Sequence, residues 1–289
     1  MTPFLIALGL VQAAASVPPA APTPANPAGN DDTARLASCV ELTRVAPERA
    51  VETANAWVAN GGRLDARQCL GLAYVELGRW RAAATAYEQA AREADTAQSP
   101  RRTTFWVQAG NAWLAADDAA RAIAAFDSAL AVPTLAAELR GEVHLDRARA
   151  QVALQNSAGA RTDLDRALEL VPADPMAWYL SAALYARQDN LTLAARDIAR
   201  ARELARDNPD ILLLAGTIAG LQGNGAEAER LYRQVAAAAP QTDAGRSAAA
   251  ALASERDVGA APAAAPVPSA PGRSAPVRPA PAPRPPQGR

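Results

Sequence analysis

The rarest reactive side chains in this sequence are one histidine, His144, and two cysteines, Cys39 and Cys69. A lone imidazole acts as a general base only beside a positioned nucleophile and an orienting partner. No serine or cysteine is spaced to serve His144 in that way. These three residues, scattered between Cys39 and His144, also exclude a clustered Cys/His zinc site. Asp163 and Asp165 are neighbours on a helical stretch and point to different faces, so they do not form a paired acid and base. No nucleophile-elbow, zinc-protease or Walker-type motif is present. Gly223-Asn224-Gly225 lacks the preceding strand of a phosphate loop and reads as a hairpin turn. The residues point away from catalysis and imply no cofactor and no metal.

Bulk charge excludes another class. Net charge is −1, so no basic field is available for nucleic acid. Every basic side chain is arginine, and the chain is rich in alanine and poor in aromatics. That composition suits helices, and the lack of lysine reads as a codon bias toward Arg and Ala.

The two ends differ from the middle. Residues 1–16 carry an apolar run, Phe4–Val11, followed by Ala13-Ala14-Ala15. This is the pattern of a secretory signal peptide cleaved near Ala15, and the run is too short to span a bilayer. It predicts export, to the periplasm in a bacterial cell. Residues 17–31 are rich in Pro and Ala and read as an extended linker. Residues 257–289 are again Pro/Ala-rich, with Arg273, Arg278, Arg284 and Arg289 and no acid after Asp257. The composition predicts a disordered basic tail. It is either simply solvated or in reach of anionic envelope components such as polymer or lipid head groups.

The body between the ends repeats. Ala148, Ala182 and Gly216 are 34 residues apart, as are Ala160, Ala194 and Ala228. Ala167 and Ala201 keep the same register. Earlier units show Gly71, Tyr74, Gly78, Ala83, Tyr87 and Ala90, then Trp106, Gly110, Trp113, Ala122, Phe126, Ala129 and Pro133. Small residues at this period let two helices of a hairpin approach closely. Asp174-Pro175 and Asn208-Pro209 are N-cap and first-turn pairs that start new helices. Residues 32–62 read as a further helix pair, begun by Asp32 or Thr33 and stopped by Asn60-Gly61-Gly62; the pair is either a degenerate repeat or an N-terminal cap. A last amphipathic helix, running to residue 256, closes the body.

The spacing of these Trp, Gly, Tyr, Ala, Phe and Pro residues over about 64–242 resembles the tetratricopeptide repeat family. Unit three departs from the pattern, with His144 in the slot that Trp106 and Trp178 fill and Gln151 in a tyrosine slot. The resemblance implies an all-α, right-handed superhelical solenoid of antiparallel hairpins over residues 63–256, with about five repeats and a capping helix. It implies a peptide or protein partner lying along the first helices of the hairpins. Transferred slot by slot, that surface includes Gln68, Gln108, Asn111, Arg149, Tyr179 and Arg187. The basic clamp of the chaperone-binding branch is not matched, because the corresponding slots hold Gln68, Leu72, Gln108, Glu142 and Asp146. Asn111 and Arg149, in equivalent slots of consecutive units, suit a peptide backbone and a carboxylate.

Export has a consequence for the thiols. Cys39 and Cys69 would lie on first helices of adjacent hairpins, in a compartment where a bridge persists. A disulfide and two buried free thiols are the alternatives, and the bridge is expected. The function expected from all of this is a non-catalytic adaptor in envelope assembly. The alternative is a structural subunit that self-associates through the ends of the array.

Overall fold

Apolar residues at helical spacing, broken by regular stop signals, give thirteen helices among the described residues, which are 27–258 of this computed structural model. They pair in order: α1 (Pro27–Val45) with α2 (Pro47–Ala59), α3 (Leu64–Glu76) with α4 (Trp80–Thr96), and α5 (Arg102–Ala115) with α6 (Ala119–Leu130). Next come α7 (Ala137–Ala153) with α8 (Ser157–Leu170), α9 (Pro175–Arg187) with α10 (Leu191–Leu204), and α11 (Pro209–Leu221) with α12 (Gly225–Ala238). The last helix, α13 (Asp243–Val258), packs on α12 and touches α11. The expected export signal, most of the linker and nearly all of the tail lie outside the described residues. The first helix starts at Pro27, so Asp32 and Thr33 sit within it rather than capping it.

The turns inside the hairpins are built alike. From α3 and α4 onward each places one residue in the left-handed region: Gly78, Asp117, Gln155, Asp189 and Gly223, with φ between 58° and 80°. From the second hairpin of the repeating body onward, the next residue caps the second helix. Asp118, Asn156, Asn190 and Asn224 accept from the backbone N–H of Arg121, Gly159, Leu193 and Glu227. Between hairpins, Asp174 and Asn208 do the same ahead of Pro175 and Pro209. A side-chain cap of this kind contributes about 1 kcal/mol.

The hairpins close over a small residue facing a large one sixteen positions later. A methyl group added at Gly71 would fall 2.4 Å from the Tyr87 ring, one at Gly110 2.4 Å from the Phe126 ring, and one at Gly216 2.8 Å from the Tyr232 ring. In the two intervening hairpins the same positions hold Ala148 with Leu164, and Ala182 with Ile198, all buried. Glycine therefore stands where the second helix brings a ring, and alanine where it brings an aliphatic chain.

Stacking the hairpins buries what each exposes. Odd-numbered helices touch one another across the units, as α1 does α3, α5 does α7 and α9 does α11. The chain is thus an all-α, right-handed solenoid whose inner side is formed by first helices. Cys39 on α1 and Cys69 on α3 face each other, with Cα atoms 6.0 Å apart, within reach of a disulfide.

Exchanging the small residue at one hairpin tests the packing rule. Gly110→Ala should cost about 1–3 kcal/mol through overpacking. Adding Phe126→Leu, which copies the Ala148–Leu164 pair, should restore at least about 1 kcal/mol of that loss. Urea unfolding of the four chains of the cycle measures it, and additive losses would refute the pairing.

Candidate functional site

Two buried aspartates on neighbouring helices have opposite surroundings, and the contrast separates the frame from the candidate site. Asp163, on α8, is 2% exposed. It accepts from His144 Nδ1 at 2.9 Å and from Arg147 at 2.9 and 2.6 Å. Arg147 reaches on to Asp127 of α6. Burial alone would raise the Asp163 carboxyl, but the hydrogen bonds from His144 and Arg147 carry it below its ordinary value. His144 thus has a structural position, tying α7 to α8 in the slot where other units place tryptophan. One repeat later, Asp197 accepts from Ser181, both fully buried, at 2.5 Å.

Asp146, on α7, is also buried but turns to the inner side. Arg149 donates to it at 2.8 Å, and Asn111 of α5 donates to the same carboxylate. Here burial wins over both partners, and the nearby Asp174 charge adds to it, so the carboxyl is raised. Glu142, one turn before it, is also raised, by burial and by the charges of Glu138, Asp146 and Asp174. On α11, Asp210 is raised by burial and by Asp243 at the start of α13. Two of these acids keep an ion-pair partner, Asp146 with Arg149 and Asp243 with Arg246.

Two buried polar atoms in the same region lack partners: Gln108 Oε1 on α5 and Arg149 Nε on α7. Tyr179 of α9 is 2% exposed and in electrostatic range of both Arg149 and Asp210. Burial and the Asp210 charge push its hydroxyl up to about 12, so it stays protonated and able to donate. Buried polar groups are normally satisfied. An unpaired acceptor on α5 and an unpaired donor on α7 suit the N–H and C=O groups of a peptide main chain.

The residues expected on the inner side divide accordingly. Asn111 and Arg149 both reach Asp146, Tyr179 stands in electrostatic range of Arg149, and Gln108 lies one turn before Asn111 on α5. Gln68 does not join them, because Arg101 of α5 donates to its side-chain oxygen while also pairing with Asp65. Arg187 is exposed in the last turn of α9. Asp146 and Asp210 were missed as site residues. Their signal was present in the i,i+4 acids Glu142 and Asp146, and in the acid directly after Asn208-Pro209.

The two aspartates should respond oppositely to loss of charge. The lowered Asp163 contributes stability that is full above the ordinary carboxylate range and is lost as pH falls through its depressed value. Asp163→Asn should cost about 2 kcal/mol at pH 7. The raised Asp146 is a charge held against its preference, so Asp146→Asn should leave stability at pH 7 at or above that of the unsubstituted chain. Thermal melts at pH 7 compare them, and equal losses would contradict the electrostatic contrast.

The tetratricopeptide repeat model matches residues 70–136 and 145–209. Among solved structures the chain is similar to PilW, described as a widely conserved type IV pilus biogenesis factor, with a TM-score of 0.60 and 22% identity over 77% of this chain and 98% of that one. It is also similar to PilF of Pseudomonas aeruginosa, with a TM-score of 0.57 and 17% identity over 76% of this chain and 99% of that one. A comparison with the curated proteins finds no match. At these identities the structural likeness speaks for the fold, and together with the matched repeats it makes this chain a member of the tetratricopeptide repeat family.

Proposed function

We propose that this protein is a non-catalytic adaptor that holds an extended protein segment along the inner side of its solenoid. The observation that carries the reading is the pair of buried unpaired atoms, Gln108 Oε1 on α5 and Arg149 Nε on α7. Their desolvation has already been met by folding, and a peptide backbone supplies the missing partners without further reorganisation. Asn111 holds Asp146, and Asp146 holds Arg149, so the donor is set in place before a ligand arrives. Arg187, exposed in the last turn of α9, extends the surface.

The setting is the bacterial envelope, reached by export. Two observations support it. The PilW structure is described as that of a pilus biogenesis factor, and the cysteines stand 6.0 Å apart at Cα on adjacent units. A bridge closing that loop would contribute about 3–4 kcal/mol in the chain-entropy estimate and would fix α1 to α3 only in an oxidising compartment. Mass spectrometry of protein recovered from the periplasm should find Cys39 and Cys69 linked. Two free thiols would remove this support for export.

The adaptor reading is tested by crosslinking in intact cells followed by capture of the complex. Asn111→Ala with Arg149→Ala should lose the captured partner while keeping the helical content and melting profile of a folded array. Retention of the same partner at the same yield would move the binding surface off the inner helices.

A further inference from the structure

The helix that opens the array is held differently from those that follow it. α1 is 19 residues long, yet of its described side chains only Cys39 and Thr43 are buried. Leu36 and Leu42 rest half-buried against the cluster that Cys69, Leu70 and Ala73 of α3 form with Ala50 and Ala54 of α2. Ser38, Thr43 and Arg44 direct side-chain hydrogen bonds back into the helix, to Ala34, Val40 and Glu41. Arg35 stacks on the Trp57 ring of α2 at 4.7 Å. By contrast α2, six residues shorter, buries Ala50, Ala54 and Trp57, and α3 buries five residues from Ala66 to Ala73. Ordering a helix costs backbone entropy that tertiary burial must offset. α1 has little burial to set against that cost.

We propose that α1 is a redox-controlled cap, docked on α3 when Cys39 and Cys69 are bridged and released from it when both thiols are free. The proposal rests on the bridge invoked above in support of export, and it is independent of the peptide-binding reading. The Cα atoms stand 6.0 Å apart, inside the range a disulfide spans. Leu36, Cys39, Val40 and Thr43 follow at helical spacing and form the one stripe that α1 turns to the body. A bond at Cys39 therefore holds the helix near the middle of that stripe.

Bridge formation joins the two Sγ atoms. Two electrons and two protons pass to a disulfide oxidant, which leaves as a dithiol, and an external dithiol reverses the exchange. Cys39 is 3% exposed and Cys69 0%, so a reductant reaches either sulfur only when α1 lifts. The closed bond thus shields itself. Before oxidation the cluster around Cys69 lies open to water on the side that α1 covers. Oxidation after export adds α1 to the inner side and completes the array at that end.

The test uses the full chain recovered from the periplasm, untreated or reduced with dithiothreitol, with the thiols counted by alkylation and hydrogen exchange followed by mass spectrometry. On reduction the amides of α1 should exchange at least about a hundredfold faster, while those of α5 to α12 change by less than about threefold. Cys39→Ala, which leaves α3 untouched, should match the reduced chain and should not respond to dithiothreitol. Trypsin should then cut after Arg35 and Arg44 in both. Unchanged exchange in α1 on reduction and in Cys39→Ala would overturn the proposal, because the helix would dock by its side chains alone. Equal acceleration from α1 to α12 would also overturn it, because the bridge would hold the whole array rather than one helix. Two free thiols in the untreated chain would overturn it together with the support for export. The adaptor reading would stand apart from all three outcomes, judged by partner capture with Asn111→Ala and Arg149→Ala.

Discussion

The close approach of the two helices in each hairpin is the constraint on which the rest of this structure depends. The rings of Tyr87, Phe126 and Tyr232 stand where a single added methyl group on the facing helix would collide with them. Where a hairpin has Leu164 or Ile198 instead, the facing residue grows by one carbon to Ala148 or Ala182. The sum of the two volumes is held, rather than either one. A solenoid has no central core to absorb an error, because each unit touches only its neighbours. A hairpin that opened by a fraction of an ångström would tilt the next first helix and shift the row of inner side chains. The positions of Asn111, Asp146 and Tyr179 are therefore consequences of packing at glycine and alanine on the other side of the same helices.

Polar groups show the same division of labour. The contact between Arg147 and Asp163 in one hairpin recurs, 34 residues later, as Ser181 and Asp197. Neighbouring hairpins fill the equivalent positions with Ala109 and Ala125, or Ala215 and Leu231, all buried. Asp163 has donors that favour its anion. Asp146 differs: it is buried in mid-helix, and its ion pair with Arg149 does not offset that burial. Asp210 stands in the first turn of α11, where the helix N-terminus favours an acid.

Much of the fold was legible in the sequence because packing in a repeat array is written at fixed intervals. The 34-residue recurrence of small residues, the Asp174-Pro175 and Asn208-Pro209 starts and the Gly223-Asn224-Gly225 turn each need only local chemistry to read. The slot transfer also picked out Asn111 and Arg149, which both reach Asp146. What could not be read was which polar residues find partners. Gln68 looks as free as Gln108 in the sequence, yet Arg101 satisfies one and nothing satisfies the other. Asp146 looked like a mismatch to a basic clamp, since its value as an acid appears only once Asp174 and Glu142 are seen beside it. The start of α1 at Pro27 was hidden for another reason: the Pro/Ala composition before it favours a linker reading, and tertiary contacts with α2 and α3 decide the matter.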